Sequence, residues 1–200
     1  SRAVVWGDVD NDGDLDLAVA NYGKPNRVYI NDNGVLVTDP ARVWLSDAPF
    51  EQGDLTTSLA WGDVNGDGYL DLVVGNGRDC VEKRRSTTYN GGTNRLYLNQ
   101  QGTLARNASW SSLEQDETTS IALGDINGDG QLDLVVGNAI GYGGGSNRMY
   151  LNRGRTFGRS AAWSSSNSDD TTSIALGDID EDGDLDLVVG NEAGPARLYR

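Results

Sequence analysis

Residues 120–136 read SIALGDINGDGQLDLVV, and this stretch decides the fold. Two short apolar runs, Ser120–Leu123 and Leu132–Val136, flank a polar segment rich in Asp, Asn and Gly. The runs have the length and the Ile, Leu and Val content of β-strands, and the polar segment has the composition of a turn. The stretch therefore predicts a strand–loop–strand hairpin.

The same pattern occurs four times along the 200 residues. The polar loops begin at Asp8, Asp63, Asp125 and Asp178, at spacings of 55, 62 and 53 residues. An Arg-x-Tyr motif follows each loop, and a tryptophan follows the first three motifs. In each unit we expect a third strand at the motif and a fourth strand that approaches the tryptophan, as before Trp163. Regular self-similarity of this length, without a 3.6-residue apolar period, is typical of a propeller built from four-stranded blades. We predict an all-β fold, a β-propeller of four-stranded antiparallel blades with about four blades, in one domain over 1–200. The predicted repeats are 1–53, 54–115, 116–168 and 169–200.

The predicted strands leave the last repeat incomplete. The chain starts within the first strand of its first blade and ends after the third strand of its fourth. Three explanations stay open, in this order: the chain is part of a longer propeller, four blades close with a strand from elsewhere, or the open edge accepts a strand from another subunit.

The acidic residues are concentrated in the loops. The net charge is −14, and 17 of the 30 acidic residues lie in the four nine-residue loops. The negative net charge argues against nucleic acid as a partner, because neutralising phosphates requires clustered Lys and Arg, and no apolar run approaches the 18 residues of a membrane span. We therefore expect neither a nucleic-acid partner nor membrane insertion. A single cysteine and no histidine disfavour a disulfide framework and zinc or copper sites.

The loops share the pattern Asp-x-[Asp/Asn]-x-Asp-Gly-x-x-Asp. Oxygen-bearing side chains at alternate positions converge on one centre, as calcium requires, and glycine at position 6 permits a sharp turn with positive φ. Position 7 varies freely, which fits a ligand supplied by its backbone carbonyl. We predict about four Ca²⁺ ions, one per repeat. The predicted ligand residues are Asp8, Asp10, Asp12, Asp14 and Asp16; Asp63, Asn65, Asp67, Tyr69 and Asp71; Asp125, Asn127, Asp129, Gln131 and Asp133; and Asp178, Asp180, Asp182, Asp184 and Asp186.

Two other interpretations fit the loops less well. An EF-hand needs Glu at position 12 and flanking helices, whereas position 12 here is a valine of the second strand. Simple hairpin turns explain two or three Asp, Asn or Gly residues, but not oxygen donors at positions 1, 3, 5 and 9 in all four loops. Magnesium is disfavoured because it prefers a smaller octahedral shell.

With its calcium-type loops between strands, as in residues 60–76 followed by Asn94–Tyr97, the sequence resembles the FG-GAP and VCBS repeat families, which include the propellers of integrin alpha subunits. The resemblance covers essentially the whole chain. It implies an extracellular propeller used for adhesion, ligand binding or support of a secreted enzyme. Such propellers typically have seven blades, and the four found here are a departure.

Several recurring side chains have packing roles in this scheme. We expect Trp6 and Trp61 to pack between blades, and the same for the outer tryptophans Trp44, Trp110 and Trp163. The arginines of the Arg-x-Tyr motifs are expected to pair with an aspartate of a neighbouring blade. These arginines are Arg27, Arg95, Arg148 and Arg197.

The connections between second and third strands, and between fourth and first strands, are expected on the face opposite the calcium loops. Their sequences differ from repeat to repeat, which suits a role in recognition. They include 76–93 with Cys80 and Lys83–Arg85, the 141–145 glycine run, and the repeated Asp54, Asp116 and Asp169.

We predict a non-catalytic, extracellular calcium-binding module for adhesion, protein interaction or assembly, with a protein or glycan ligand and possible self-association. A glycan-binding or enzyme-accessory propeller is the alternative. Asn107 begins a glycosylation sequon.

Overall fold

The computed structural model describes residues 1–47, 55–77, 92–139, 145–192 and 194–200. All the regular elements of these ranges are β-strands. The ranges contain no helix that could cross a membrane. Asp54, Cys80, Lys83–Arg85 and residues 141–144, which the sequence analysis singled out, lie outside them.

The strands form four antiparallel sheets, called blades 1 to 4, in which strands that follow one another along the chain lie side by side. Blade 1 contains β1 (Val4–Gly7), β2 (Asp16–Val19), β3 (Arg27–Tyr29) and β6 (Trp44–Leu45), with a small hairpin of β4 (Asn31–Asp32) and β5 (Val35–Leu36) between its last two strands. Blade 2 contains β7 (Thr56–Gly62), β8 (Asp71–Asn76), β9 (Arg95–Tyr97) and β10 (Trp110–Ser111).

Blade 3 contains β11 (Thr118–Gly124), β12 (Asp133–Asn138), β13 (Ser146–Tyr150) and β14 (Trp163–Ser168). Blade 4 contains the three described strands β15 (Thr171–Gly177), β16 (Asp186–Asn191) and β17 (Arg197–Tyr199). These sheets confirm the predicted all-β architecture of antiparallel blades, with a last blade one strand short within the described residues.

The fourth strand of each complete blade differs from the prediction. The sequence analysis placed this strand before Trp163, whereas β14 begins at Trp163 and runs to Ser168. The residues before it form a loop that carries Phe157, and Phe157 is buried against the preceding blade. Burial of the Phe157 side chain is thus favoured over strand formation by the residues before Trp163.

The hydrophobic core lies in the seams between blades. One buried cluster joins blades 1 and 2, a second joins blades 2 and 3, and a third joins blades 3 and 4. The central strands β8 and β12 are buried on both faces because each separates two seams. Burying one such Leu or Val contributes roughly 1.5–3 kcal/mol to folding.

Close approach of the blades depends on the glycine that ends each first strand. In blades 1 to 3, a side chain at this position would collide with a large side chain of the next blade. A methyl carbon would fall 2.7 Å from Trp61 at Gly7, 2.7 Å from Leu123 at Gly62 and 2.8 Å from Leu176 at Gly124. The predicted packing of Trp61 between blades is confirmed, whereas Trp6 is 55% exposed and does not pack between blades in the described structure.

Outer parts of the seams use tyrosines and tryptophans. Each fourth strand begins with a tryptophan, whose ring makes a T-shaped contact with the motif tyrosine of the next blade. These contacts confirm that the three outer tryptophans pack between blades. The ring centroids are 5.0 Å apart for Trp44 and Tyr97, 5.4 Å for Trp110 and Tyr150, and 5.2 Å for Trp163 and Tyr199. A carboxylate beyond the fourth strand then accepts the tyrosine hydroxyl: Tyr97 donates to Asp47 at 2.7 Å and Tyr150 to Glu114 at 3.1 Å.

Among the described residues, three of the four motif arginines pair with an aspartate. Arg148 donates to Asp116 and Arg197 to Asp169, the aspartates that precede the first strand of their own blades, so the expected pairing with a neighbouring blade is wrong for these two. Arg95 lies 3.5 Å from Asp47 of the preceding blade, as expected.

A glycine-to-alanine pair tests the seam directly. Gly62→Ala should destabilise the fold by about 1–3 kcal/mol because its methyl group overpacks the seam at Leu123 and Leu132. At Gly177, the matched position of blade 4, an added methyl carbon meets nothing within 4 Å. Gly177→Ala should therefore leave the stability of the single chain unchanged or slightly raised. Urea unfolding in dilute solution measures both, and equal losses in the two variants would refute the seam packing.

Candidate metal centre

Each aspartate-rich loop closes the hairpin between the first and second strands of its blade. The last residue of the loop pairs, across the two strands, with the glycine that precedes the loop. Asp71 pairs with Gly62, and Asp133 pairs with Gly124. The loop ends are therefore fixed by the sheet register, and the loop itself has to fold over its own carboxylates.

The aspartate at position 1 organises the turn. Asp63 accepts the backbone N–H of Asp67 at 3.0 Å through Oδ1 and that of Gly68 at 2.8 Å through Oδ2. The equivalent bonds form at Asp8, Asp125 and Asp178. One carboxylate thus satisfies two backbone donors at the tip of every loop.

Two residues of each loop have left-handed backbone conformations. Position 6 was predicted to need positive φ, and its φ values of 83° to 97° confirm this for Gly13, Gly68, Gly130 and Gly183. The residue at position 4 also has a positive φ, between 60° and 73°, at Asn11, Gly66, Gly128 and Glu181. The sequence analysis missed position 4, although Asn or Gly stands there in three loops and these residues tolerate this conformation best.

The aspartate at position 9 is buried at the base of the loop. Asp71 is fully buried, and it accepts the N–H of Val64 at 2.9 Å through Oδ2 and the N–H of Asn99 at 2.7 Å through Oδ1. Asp16 and Asp133 do the same in blades 1 and 3. This carboxylate therefore links the loop to the end of the third strand of its blade.

In loop 1 the structure brings three carboxylates together at one point. Asp8, Asp10 and Asp16 each place an oxygen within 4.8 Å of the others. Oδ1 of Asp10 is buried and has no hydrogen-bond partner. A buried, unpartnered carboxylate oxygen beside two further carboxylates is costly unless a cation neutralises it.

Loop 4 gathers a different trio, Asp178, Asp180 and Asp182, from positions 1, 3 and 5. Loops 2 and 3 have asparagine at position 3. There the amide nitrogens of Asn65 and Asn127 donate to the position-5 carboxylates at 3.0 and 3.1 Å. These two loops carry fewer negative charges and partly satisfy them internally.

Position 7 contributes through its backbone. In all four loops its N–H donates to the position-5 carboxylate at 2.9 to 3.0 Å; the donors are Asp14, Tyr69, Gln131 and Asp184. The side chain of Asp14 turns away from the loop and accepts the N–H of Asn33 at 2.9 Å. Ligation through the position-7 carbonyl stays a prediction.

Burial and mutual repulsion destabilise the charged loops. Burial raises the pKa of Asp71 to about 6. It also raises the pKa of Asp10, where the nearby charge of Asp16 adds to the effect, and the pKa values of Asp16 and Asp133. Each of these groups would hold its negative charge more easily beside a cation.

The donor set fits calcium. The loops offer only oxygen atoms, from carboxylates, amides and backbone carbonyls, and they are held by turns rather than by a rigid cage. The residues that would hold an ion in loop 1 are Asp8, Asp10 and Asp16, and those in loop 4 are Asp178, Asp180 and Asp182.

Sequence comparison identifies the repeat. A model of the FG-GAP-like repeat matches residues 8–74, 86–136 and 138–189, and a model of the FG-GAP repeat matches residues 55–98. The chain belongs to the FG-GAP repeat family. The resemblance inferred from the loops and flanking strands is thereby confirmed.

The FG-GAP region is similar to part of a longer enzyme. It is 30% identical to phosphatidylinositol-glycan-specific phospholipase D of Rattus norvegicus and 28% identical to that of Bos taurus, each over 155 residues. These alignments cover 70% of this chain and 18% of the enzymes. The chain thus spans about a fifth of the length of these relatives.

Solved structures share the fold at low identity. BBS1N, in a complex with ARL6DN soaked with lead, matches with a TM-score of 0.61 and 13% identity over all of this chain and 50% of that chain. The Vibrio cholerae (V. cholerae) biofilm matrix protein Bap1 matches with a TM-score of 0.54 and 19% identity over 94% of this chain and 23% of that chain. Both likenesses show the fold alone.

Sequence reasoning missed the asparagines that join successive loops. The side-chain amide of Asn99 donates to the carbonyl of Val9 in the preceding blade at 2.7 Å, and that of Asn152 donates to Val64 at 2.8 Å. Both side chains are almost fully buried. Their recurrence two residues after the motif tyrosine was the available signal.

The raised pKa of Asp71 sets a pH dependence for the metal-free protein. The folded state holds this proton more tightly than the unfolded state, whose pKa is near 3.8. The stabilisation from protonation is complete below the unfolded pKa and is lost as the pH rises through about 6. In EDTA, the urea midpoint should therefore fall between about pH 4 and pH 6, and Asp10, Asp16 and Asp133 act in the same direction.

Asp71→Asn removes one of these titrating carboxyl groups, so the urea midpoint of the variant in EDTA should fall less between about pH 4 and pH 6. The variant should also be less stable than the wild type by about 1–3 kcal/mol near pH 4, because its amide nitrogen cannot accept a backbone N–H, and this deficit should shrink as the pH rises to 7. A wild-type midpoint in EDTA that rises steadily from pH 4 to pH 7 would contradict the assignment.

Proposed function

We propose that this chain is a calcium-stabilised FG-GAP propeller module that works outside the cell by binding other macromolecules, and that it has no catalytic activity of its own. The observation that carries the calcium assignment is the buried, unpartnered oxygen of Asp10 beside Asp8 and Asp16. An ion bound only by the folded state adds to stability in proportion to its binding.

The proposed interaction role is supported by the family and by its relatives. FG-GAP repeats form propellers, whose rigid blades present loops to partners. Among the structural neighbours, BBS1N occurs in a complex with ARL6DN, and Bap1 is a biofilm matrix protein. The exposed sequon at Asn107 is compatible with an extracellular setting.

One observation favours glycan binding as a second candidate. The relatives with 28–30% identity act on a phosphatidylinositol glycan, and this chain aligns with 18% of their length. A module of this type would bind the sugar and leave the reaction to other parts of the protein. Glycan-array binding in calcium tests it, and a blank array would remove this candidate.

Calcium stabilisation is tested by thermal unfolding. Calcium at a hundredfold excess over the dissociation constant should add about 2.7 kcal/mol for each occupied site, and excess EDTA should remove it. Asp10→Ala removes this ligand and should reduce the calcium-dependent rise in Tm. Glu192→Ala removes the same charge from an exposed side chain outside the loops and should keep the full rise. Equal Tm values in calcium and EDTA would overturn the proposal.

A further inference from the structure

The seam between blades 1 and 2 contains a cavity of about 140 Å³. The buried side chains of Val9, Val28 and Leu104 line it, together with the partly buried side chains of Ile30 and Trp44. An apolar cavity of about 150 Å³ can hold a molecule of benzene. The cavity is therefore large enough for one aromatic ring.

The neighbouring seam, between blades 2 and 3, shows what fills this place in the repeat. Leu104 and Phe157 stand at the same repeat position, since each forms an antiparallel bridge with the asparagine five residues earlier, Asn99 or Asn152. In both seams the tryptophan of the preceding blade donates its indole N–H at 3.2 Å to the carbonyl of the residue that follows. The two loops thus have the same backbone arrangement, and the seams differ in their side chains.

In the seam between blades 2 and 3, the place of the cavity is taken by the ring of Phe157. This ring makes a T-shaped contact with Trp110, with centroids 5.2 Å apart. Phe157 belongs to one buried cluster with Trp110, Val64 and Leu96. The counterparts of these three cluster partners line the cavity: Trp44, Val9 and Val28. A phenyl ring of the chain itself thus occupies this place in one of the two seams.

Two smaller side chains leave the space open. Leu104 stands where blade 3 has a phenylalanine, and Val28 stands where blade 2 has a leucine. Trp44 does not fill the gap, because its indole N–H is bound to the carbonyl of Ala105 and its ring packs on Tyr97. An empty space in a protein interior forfeits packing contacts that a fitting group would make. The first seam therefore has the place for a ring without supplying the ring.

The mouth of the cavity carries a cationic group. Arg42 and Thr103 are exposed residues that line the cavity. The guanidinium of Arg42 lies 4.0 Å from the carboxylate of Asp32, and both side chains are more than half exposed, so this pair constrains the arginine only weakly. A guanidinium in this position can lie over the face of a ring held in the cavity, which is a favourable cation–π arrangement. The corresponding residue of blade 2 is Ala108.

We propose that the cavity between blades 1 and 2 binds the side chain of a phenylalanine exposed on a partner protein. The ring takes the place that Phe157 fills in the next seam, and Arg42 covers it at the mouth. The cavity has room for one ring, so the backbone of the partner stays outside, against the exposed rim. This site deepens the macromolecule-binding role proposed above and rests on it for the source of the ring, but it does not depend on calcium.

Titration with N-acetyl-phenylalaninamide, followed by two-dimensional ¹H–¹⁵N NMR of the indole N–H groups, tests the proposal. The signal of Trp44 should shift with a dissociation constant of about 1 mM, the range expected for a ligand of this size. The signal of Trp110 should not shift, because Phe157 fills the corresponding place. N-acetyl-alaninamide lacks the ring and should shift neither signal.

A substitution that copies the neighbouring seam makes the test specific to the cavity. Leu104→Phe supplies the ring from the chain itself, so it should abolish the shift of Trp44 and leave Tm unchanged or raised, as cavity filling does. Leu36→Phe is the matched control, because Leu36 stands at the same repeat position of blade 1 and does not line the cavity. This variant should keep the shift.

A pair of arginine variants tests the mouth of the cavity. Arg42→Ala should weaken binding of the amide roughly twofold to fivefold, the range of an exposed cation–π contact. Arg106→Ala removes an exposed arginine from the corresponding loop of blade 2 and should leave the dissociation constant unchanged. Equal affinities in the wild type and Arg42→Ala would remove the arginine from the proposal.

Four results would each overturn the proposal. They are no shift of Trp44 at about 10 mM amide, a shift that persists in Leu104→Phe, a Leu104→Phe chain that does not fold, and uptake of toluene without uptake of the amide. The last result would show a cavity that is closed to a side chain carried on a backbone.

The titration is repeated in EDTA to separate this proposal from the calcium function. A shift of Trp44 in a chain whose Tm is the same in calcium and EDTA would refute the calcium function alone. A Tm raised by calcium without the shift would refute the ring-binding site alone.

Discussion

The buried carboxylate at position 9 of each loop is the group on which both the blade and the metal centre depend. Asp71 gives one oxygen to the loop, through the N–H of Val64, and the other to the end of the third strand, through the N–H of Asn99. A carboxylate without solvent is tolerated only where donors or a cation compensate its charge. The same residue thus closes the hairpin, ties it to the next strand, and leaves negative charge at the base of the loop. The proposed calcium binding would use this charge rather than being added to a finished fold.

The same residue also connects one blade to the next. Because Asp71 fixes the backbone of Asn99, the side-chain amide of Asn99 is aimed at the carbonyl of Val9 in the preceding blade. Gly7 then allows the ring of Trp61 to approach that blade closely. The metal loop, the blade and the seam are therefore parts of one repeating unit. A repeat of this kind leaves one unfinished face at each end of a row of blades, so the terminal blades carry exposed side chains that are buried elsewhere.

Much of the blade structure could be predicted from the sequence because the same local pattern recurs in every repeat. The hairpins, the four sheets and positive φ at position 6 all follow from local patterns that each repeat satisfies alone. The misses are contacts between distant residues. Nothing in the sequence around Arg148 shows that Asp116 of its own blade lies within reach, and Trp6 stands at the same repeat position as Trp61 although its side chain is 55% exposed. The loop carrying Phe157 takes the place of a predicted strand because the preceding blade offers that side chain a buried site.

The central claim is that the charge gathered in the loops is balanced by calcium. Counting the ions bound to the folded chain by equilibrium dialysis at about 10 mM calcium, roughly ten times the weakest dissociation constants of extracellular calcium modules, tests it most directly. The account predicts about four ions per chain, with one fewer in Asp10→Ala. A folded chain that binds no calcium under these conditions would contradict it.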